Sequence, residues 1–127
     1  MYIESEMRNG HPWSVGCVLP GEGPTGEDKR LLSDADPKEQ EIIMNWIAKN
    51  LQRRKTPNMF YSSYNYKHML ENETGIYITN NQMKDAMLQA GYEPVVINDL
   101  NWCYCISMRS PAILRRRAAR RLYFLMD

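Results

Sequence analysis

The chain has 127 residues and a mass of 14.9 kDa, which is the size of one domain with room for a short tail. Hydrophobic residues make up 43% of it and charged residues 24%, a composition that excludes fibrous and fully disordered proteins. No apolar run approaches the ~20 residues of a membrane-spanning helix. Glu4 and Glu6 argue against a secretory signal, and three cysteines argue against a disulfide framework. We therefore expect a cytoplasmic protein with no membrane partner.

The net charge of +1 conceals an uneven distribution. Residues 1–36 carry seven acidic and three basic side chains, whereas residues 37–127 carry eight acidic and thirteen basic ones. This division predicts an acidic arm and a basic surface, which either bind a partner or remain solvated. Most of the positive excess lies in six arginines near the C-terminus: Arg109, Arg115, Arg116, Arg117, Arg120 and Arg121.

The first 35 residues predict an irregular, acidic arm. Five of the seven glycines lie between Gly10 and Gly26, together with three prolines, and these residues break helices. Residues 13–19 alternate well enough for an edge strand, and residues 19–26 predict a loop. We expect the packed domain to span residues 36–108, followed by a basic helix over residues 109–127.

Two helices are predicted next. Asp36-Pro37 supplies an N-cap acceptor followed by proline at the first helical position, and Thr56-Pro57-Asn58 is expected to close this helix. A second helix is expected to begin at Ser62 or Ser63 and to end just before Gly75. Residues 76–79 are β-branched and aromatic, which predicts a short strand. The apolar stripe of the first helix consists of Ile42, Ile43, Trp46, Ile47 and Leu51.

A third helix follows, with Thr79, Asn80 or Asn81 as its cap and its end at Ala90-Gly91. The i, i+3, i+4, i+7 spacing predicts its buried face, and its polar side chains are expected to point outward. The predicted buried residues are Met83, Ala86, Met87 and Ala90. The predicted outward residues are Asn81, Gln82, Lys84, Asp85 and Gln89.

A β-hairpin is predicted after the third helix. Residues 92–97 and 102–107 are strand-like, and residues 98–101 between them are rich in turn formers. Cys103 and Cys105 then share one face of the second strand, where we expect them to be buried against the core.

The last predicted element is a helix that begins at Ser110-Pro111, another cap-and-proline pair, and ends at about Phe124. The element order is therefore helix, helix, short strand, helix, hairpin, helix. A three-helix core whose third helix runs into a β-hairpin is the arrangement of a winged helix-turn-helix. We expect a mainly helical α+β fold of this kind.

Particular segments within residues 37–110 point to a family. They are Ser62-Ser63-Tyr64, Lys67-His68, Gly75-Ile76-Tyr77-Ile78-Thr79-Asn80, Ala86-Met87, Ala90-Gly91-Tyr92 and Asn101-Trp102. With them the chain resembles small uncharacterised proteins of prophages and mobile elements. The run from Gly75 to Ile106 also resembles the winged modules of phage and plasmid replication proteins. This resemblance implies a winged-helix core and carries no activity, and the arm and the basic helix lie outside it.

The candidate binding residues lie on the third and the terminal helix. In a winged helix the third helix enters the major groove, where Asn81, Gln82 and Lys84 would face base edges, although all three are also ordinary surface residues. Five arginines within residues 115–121 repel one another. Phosphate, a carboxylate-rich protein or the acidic arm of this chain would relieve that repulsion. A solvated helix face stays an open alternative, and Arg109 belongs to the same basic set.

The sequence contains no recognisable catalytic motif. It contains no Gly-rich phosphate loop, no G-x-S-x-G and no paired carboxylates with a supporting histidine. His11 and His68 are far apart, and the C-x-C spacing of Cys103 and Cys105, with Cys17 elsewhere, fits zinc poorly. We expect neither an enzyme nor a metal or cofactor site.

Two functional hypotheses follow from these residues. The first is a non-enzymatic accessory protein of a phage or mobile element that binds DNA through a winged-helix domain and the arginine-rich helix. The alternative is a phage-type inhibitor that binds a host protein or a nucleoprotein complex, such as an anti-CRISPR or other anti-defence factor. A homodimer is compatible with both.

Overall fold

The computed structural model of the protein describes residues 29–125. The expectations for residues 1–28, namely most of the acidic arm with its edge strand and loop, lie outside the described residues. Within them the chain forms four α-helices and a two-stranded antiparallel sheet. The predicted α+β, mainly helical class is therefore confirmed.

Helix α1 (Pro37–Asn50) begins where the sequence predicts and ends earlier. Its N-cap is Asp36, whose side chain accepts a hydrogen bond from the Lys38 backbone N–H at 2.9 Å. The predicted end at residues 56–58 is wrong, because Arg53–Asn58 form strand β1. This charged segment contains a proline and owes its extended conformation to a strand that lies far away in the sequence.

Helices α2 (Ser63–Thr74) and α3 (Asn80–Gln89) confirm the second and third predicted helices. Gly75 ends α2 in the left-handed region at φ 76°, where glycine carries no steric penalty. Thr79 caps α3, since its hydroxyl accepts from the Gln82 backbone N–H at 3.1 Å. The Gln82 side chain in turn accepts from the Thr79 N–H at 3.0 Å, which completes a capping box.

The link between α2 and α3 is not a strand. Residues 75–79 pair with no strand in the described part of the chain, although Ile76 and Ile78 are buried. The Ile78 N–H donates to Glu71 Oε2 at 3.1 Å. The predicted short strand is wrong because a strand needs a neighbouring edge to supply its hydrogen bonds.

Strand β2 (Tyr104–Ile106) pairs antiparallel with β1, with Arg53 opposite Ile106, Asn58 opposite Tyr104 and an irregular register between them. The buried Asn58 side chain also joins the two strands, because its Nδ2 donates to the Ile106 carbonyl at 3.0 Å. The sheet thus connects the segment before α2 with the segment before the last helix.

The β-hairpin predicted between residues 92–97 and 102–107 is wrong, because the second of these segments pairs with a different strand. Residues 92–97 form no strand, and β2 pairs with β1 instead. Pro94 lacks the N–H that a ladder needs, although the neighbouring Val95 N–H donates to the Cys103 carbonyl at 2.9 Å. Residues 92–103 therefore make a long loop beside the sheet.

The face of β2 that points into the core is also opposite to the expected one. Trp102, Tyr104 and Ile106 are fully buried, whereas Cys103 and Cys105 are half-buried. The sequence analysis predicted the alternation correctly but its direction wrongly, because large rings bury more apolar area than thiols do. Buried partners from the helices include Ile43, Trp46, Ile47, Tyr66, Met69, Leu70, Met83, Ala86, Met87 and Leu88.

The segment before α1 packs against α3. Leu32–Asp34 form a 3-10 turn, and Leu31 and Leu32 are buried. The Leu32 backbone N–H donates to the buried Asp85 Oδ2 at 2.8 Å. Packing therefore extends several residues N-terminal of the expected start near Asp36.

Helix α4 (Pro111–Leu125) matches the predicted terminal helix. Ala112 and Ile113 are fully buried and anchor its first turn. From Leu114 to Leu122 its side chains are exposed or half-buried, so these turns lie on the surface. None of the helices within residues 29–125 is long and apolar enough to cross a membrane.

Candidate functional site

Helix α4 presents arginines on two different sides. At about 100° per residue, Arg115, Arg116 and Arg120 lie toward α2, where they line a groove. Arg117 and Arg121 lie on the other side and are exposed. We call these two sides the groove face and the outer face. The outer face also carries Leu114, Ala118 and Leu122, all exposed.

The α2–α4 groove has a volume of about 490 Å³. One wall comes from α2 and the other from α4, so neither helix alone makes the site. The lining residues are Met69, Asn72 and Glu73 from α2 and Arg115, Arg116, Ala119 and Arg120 from α4. One acidic and three basic side chains leave this groove with a positive excess.

An ion pair between Glu73 and Arg115 fixes the two walls. Arg115 Nη2 donates to Glu73 Oε1 at 2.6 Å, and Arg115 Nε donates to Oε2 at 3.0 Å. Trp46 Nε1 also donates to Oε1, at 2.9 Å, and Arg115 further donates to Asn50 Oδ1. Burial disfavours the charged carboxylate, but the hydrogen bonds from Arg115 and Trp46 outweigh it and lower the pKa of Glu73.

In the described part of the chain, Arg116 and Arg120 have no such partner. Arg116 is half-buried, and its Nε is buried without a hydrogen bond. Burial, and secondly the charge of Arg120, lower the pKa of Arg116, while the nearby Tyr61 opposes this shift. Neither guanidinium forms a salt bridge within residues 29–125. An anion in the groove would satisfy both groups.

The polar side chains of α3 do not point outward, contrary to the prediction. Asn81, Gln82, Lys84 and Asp85 are buried, and Gln89 is half-buried. None of the four buried side chains can reach a base edge in this arrangement. The i, i+3, i+4, i+7 pattern correctly predicted that Met83, Ala86 and Met87 are buried. It assumes one buried face, however, whereas α3 is covered on several sides.

Two neighbouring segments cover α3. On one side Asn81 Nδ2 donates to the Arg30 carbonyl at 2.7 Å, and Gln82 Nε2 donates to the Leu31 carbonyl at 3.2 Å. On another side Lys84 Nζ donates to the Asp99 carbonyl at 3.4 Å and lies 4.7 Å from the Trp102 ring centroid. These polar side chains therefore hold the fold together.

The remaining candidate residues lie apart from the groove. Arg109 is exposed in the turn before α4, where its N–H donates to Ser107 Oγ at 3.0 Å, and it does not line the groove. His68 lies 3.4 Å from Glu71 Oε1 through its Nδ1.

The described residues hold no cluster of three histidine, cysteine or acidic side chains that could bind a metal ion. Burial raises the pKa of the Cys103 thiol, which disfavours the thiolate that metals bind. His11 and Cys17, weighed above as zinc ligands, lie outside the described residues.

Comparison with protein-family models, curated proteins and solved structures finds no match for this chain. Inferences about its function therefore depend on its own residues. The arginines of α4 were found from their clustering in the sequence. The sequence analysis did not find the α2 wall, with Met69 and Glu73. No local signal marks an acidic residue at a helix end as the partner of an arginine 42 positions away.

Proposed function

We propose that this protein is a non-enzymatic nucleic-acid-binding protein whose affinity comes from phosphate contacts of helix α4. The observation that supports this proposal most strongly concerns the outer face of α4. There Arg117 and Arg121 are exposed and form no salt bridge within residues 29–125. Each guanidinium presents a planar fork of N–H donors that can bind two phosphate oxygens at once, which a lysine ammonium cannot match. The two groups lie one helical turn apart on the same face. Phosphate contacts hold a duplex without reading its sequence.

The order of the elements supports a winged-helix core as part of this proposal. The chain runs helix, strand, helix, helix, strand, and the first strand pairs with the last. In this interpretation the loop at residues 92–103 takes the place of the wing. Because the polar side chains of α3 are buried, we expect sequence-independent binding rather than base readout. An origin in a prophage or mobile element stays a hypothesis based on resemblance.

Fluorescence polarisation of a labelled random DNA duplex tests this function. The full chain is titrated at several salt concentrations from about 50 to 300 mM. The variant Arg117→Gln/Arg121→Gln removes two outer-face charges, and Lys38→Gln/Lys49→Gln removes two exposed charges from α1 as the matched control. We expect the arginine variant to bind every duplex more weakly and the control to bind like the wild type. Absence of binding at 50 mM salt would reject the proposal.

An exposed apolar stripe favours protein binding as the second candidate function. Leu114 and Leu122 are 50% and 60% exposed, and Ala118 lies between them on the outer face. A host protein or nucleoprotein complex with an apolar groove and an acidic rim would cover this stripe, as the inhibitor hypothesis requires. This candidate predicts that the protein binds a DNA duplex only weakly. It also predicts that a purified host complex binds the wild-type protein and does not bind the Leu114→Ser/Leu122→Ser variant.

A further inference from the structure

The α2–α4 groove differs from the outer face in shape and in what its arginines lack. It is concave, and the ion pair between Arg115 and Glu73 fixes its width at one end. Arg115 forms that ion pair, whereas Arg116 and Arg120 form no salt bridge with any residue between 29 and 125. The two faces therefore offer two separate binding surfaces on one helix.

Arg116 and Arg120 are suited to one shared anion. They lie four residues apart on the same wall, which places their Cβ atoms about 6 Å apart. The buried Nε of Arg116 has no acceptor among residues 29–125, and a buried donor without an acceptor is unfavourable. A phosphate group supplies several acceptor oxygens and negative charge at the same time. Phosphate is therefore the chemical group that best completes this end of the groove.

The rest of the groove is larger and more apolar than a phosphate group alone would need. Met69 and Ala119 give it apolar surface, and the exposed Asn72 offers an amide that can both donate and accept hydrogen bonds. Its volume of about 490 Å³ falls within the range of small-molecule sites, and inorganic phosphate would leave most of that space to water. A ligand that joins a phosphate to a flat, mostly apolar ring with polar edges fits both parts.

We propose that the α2–α4 groove binds a nucleoside phosphate, with its phosphate on Arg116 and Arg120 and its base against Met69 and Ala119. This inference goes beyond the proposed function, because it uses the groove face and not the outer face of α4. The nucleoside phosphate is either a free nucleotide or the phosphorylated 5′ end of a strand, since both present the same chemistry.

Isothermal titration of the full chain with AMP, adenosine and inorganic phosphate tests the site. We expect AMP to bind at least tenfold more tightly than either of the other two probes. A single-stranded tetranucleotide with a 5′ phosphate, compared with its unphosphorylated form, distinguishes the sources. Tighter binding of the phosphorylated strand than of AMP would identify a strand end, and equal or weaker binding a free nucleotide.

Two matched arginine pairs on the same helix supply the controls. Arg116→Gln/Arg120→Gln should weaken AMP binding at least tenfold, whereas Arg117→Gln/Arg121→Gln should change it less than threefold. Ala119→Leu fills the groove without changing its charge and should also weaken AMP binding at least tenfold. Thermal unfolding of each variant establishes that it is folded, and Ala119→Leu keeps the test decisive if the groove-arginine variant does not fold.

Three results would overturn the inference. These are no AMP binding at millimolar concentration, inorganic phosphate binding as tightly as AMP, and equal losses in the two arginine pairs. Failure of duplex binding in the polarisation assay would leave the groove site unaffected, because AMP binding does not depend on Arg117 or Arg121. The two proposals can therefore fail separately.

Discussion

Replacing Glu73 by glutamine tests how α4 is held against the rest of the protein. The carboxylate accepts two hydrogen bonds from Arg115 and one from Trp46, and a glutamine has one acceptor oxygen and no charge. Bidentate arginine–carboxylate pairs are stronger than ordinary ones, but this pair is partly exposed, at 50% for Arg115 and 28% for Glu73. After allowance for solvent screening we expect Glu73→Gln to lower the free energy of unfolding by about 1 kcal/mol at pH 7.

The pH dependence of this loss identifies the ion pair as its cause. The pKa of Glu73 is lower in the folded state than its ordinary value of 4.5. Its contribution is therefore present above pH 4.5 and disappears as the pH falls through the folded-state pKa. Glutamine makes no such contribution at any pH. The difference between wild type and variant should thus be about 1 kcal/mol at pH 7 and close to zero near pH 2.

Urea unfolding followed by tryptophan fluorescence at pH 7, 5, 4, 3 and 2 measures this difference. Glu41→Gln is the matched control, because Glu41 is exposed on α1 and forms no ion pair within residues 29–125. A control difference of a few tenths of a kcal/mol at each pH is expected. A loss in Glu73→Gln that is the same at every pH, or no loss at pH 7, would refute the reasoning.

Three further predictions concern the fold. Gly91→Ala should cost about 2 kcal/mol and Gly75→Ala about 1 kcal/mol in urea unfolding. Both have positive φ, but only at Gly91 would the new Cβ meet a side chain, at 3.0 Å. Burial raises the pKa of Tyr66 and Tyr104. The protein should therefore be less stable above about pH 10, where the unfolded chain releases these protons. Urea unfolding midpoints measured at pH 8 and pH 10.5 check this, and the midpoint at pH 10.5 should be the lower one. Gln82→Ala should cost about 1–2 kcal/mol and leave the salt dependence of duplex binding unchanged.

Each of these predictions has a contradicting result. Equal losses at the two glycines would mean that the neighbouring side chain yields without cost. Phenolate absorbance from every tyrosine before unfolding would mean that the buried hydroxyls are accessible. A Gln82→Ala variant with wild-type stability and altered base preference would return α3 to the role of a base reader.

Local signals predicted the helices of this protein well. The caps at Asp36 and Thr79 and the glycine at position 75 act within a few residues, so the sequence alone locates those ends. Strand β1 was missed because its residues are charged and include a proline. It exists through pairing with β2, whose partner residue Ile106 is 53 positions away from Arg53.

Only one wall of the groove could be predicted from the sequence, because the other wall depends on contacts between residues that are far apart in the chain. The clustering of five arginines on α4 is visible in the sequence, and the two faces follow from helical periodicity. The groove requires α2 as its second wall, which only tertiary packing brings into place. The burial of Asn81 and Lys84 likewise depends on segments about 50 and 15 residues away.

The salt dependence of duplex binding tests the central claim, that α4 binds phosphates, most directly. The logarithm of the binding constant is measured against the logarithm of salt concentration for the full chain and for the two matched double variants. The slope is negative, and each lost phosphate contact reduces its magnitude by about 0.9. We predict a slope whose magnitude is smaller by about 1.8 for Arg117→Gln/Arg121→Gln and an unchanged slope for Lys38→Gln/Lys49→Gln. Equal slopes in all three proteins, or no binding at 50 mM salt, would contradict the account.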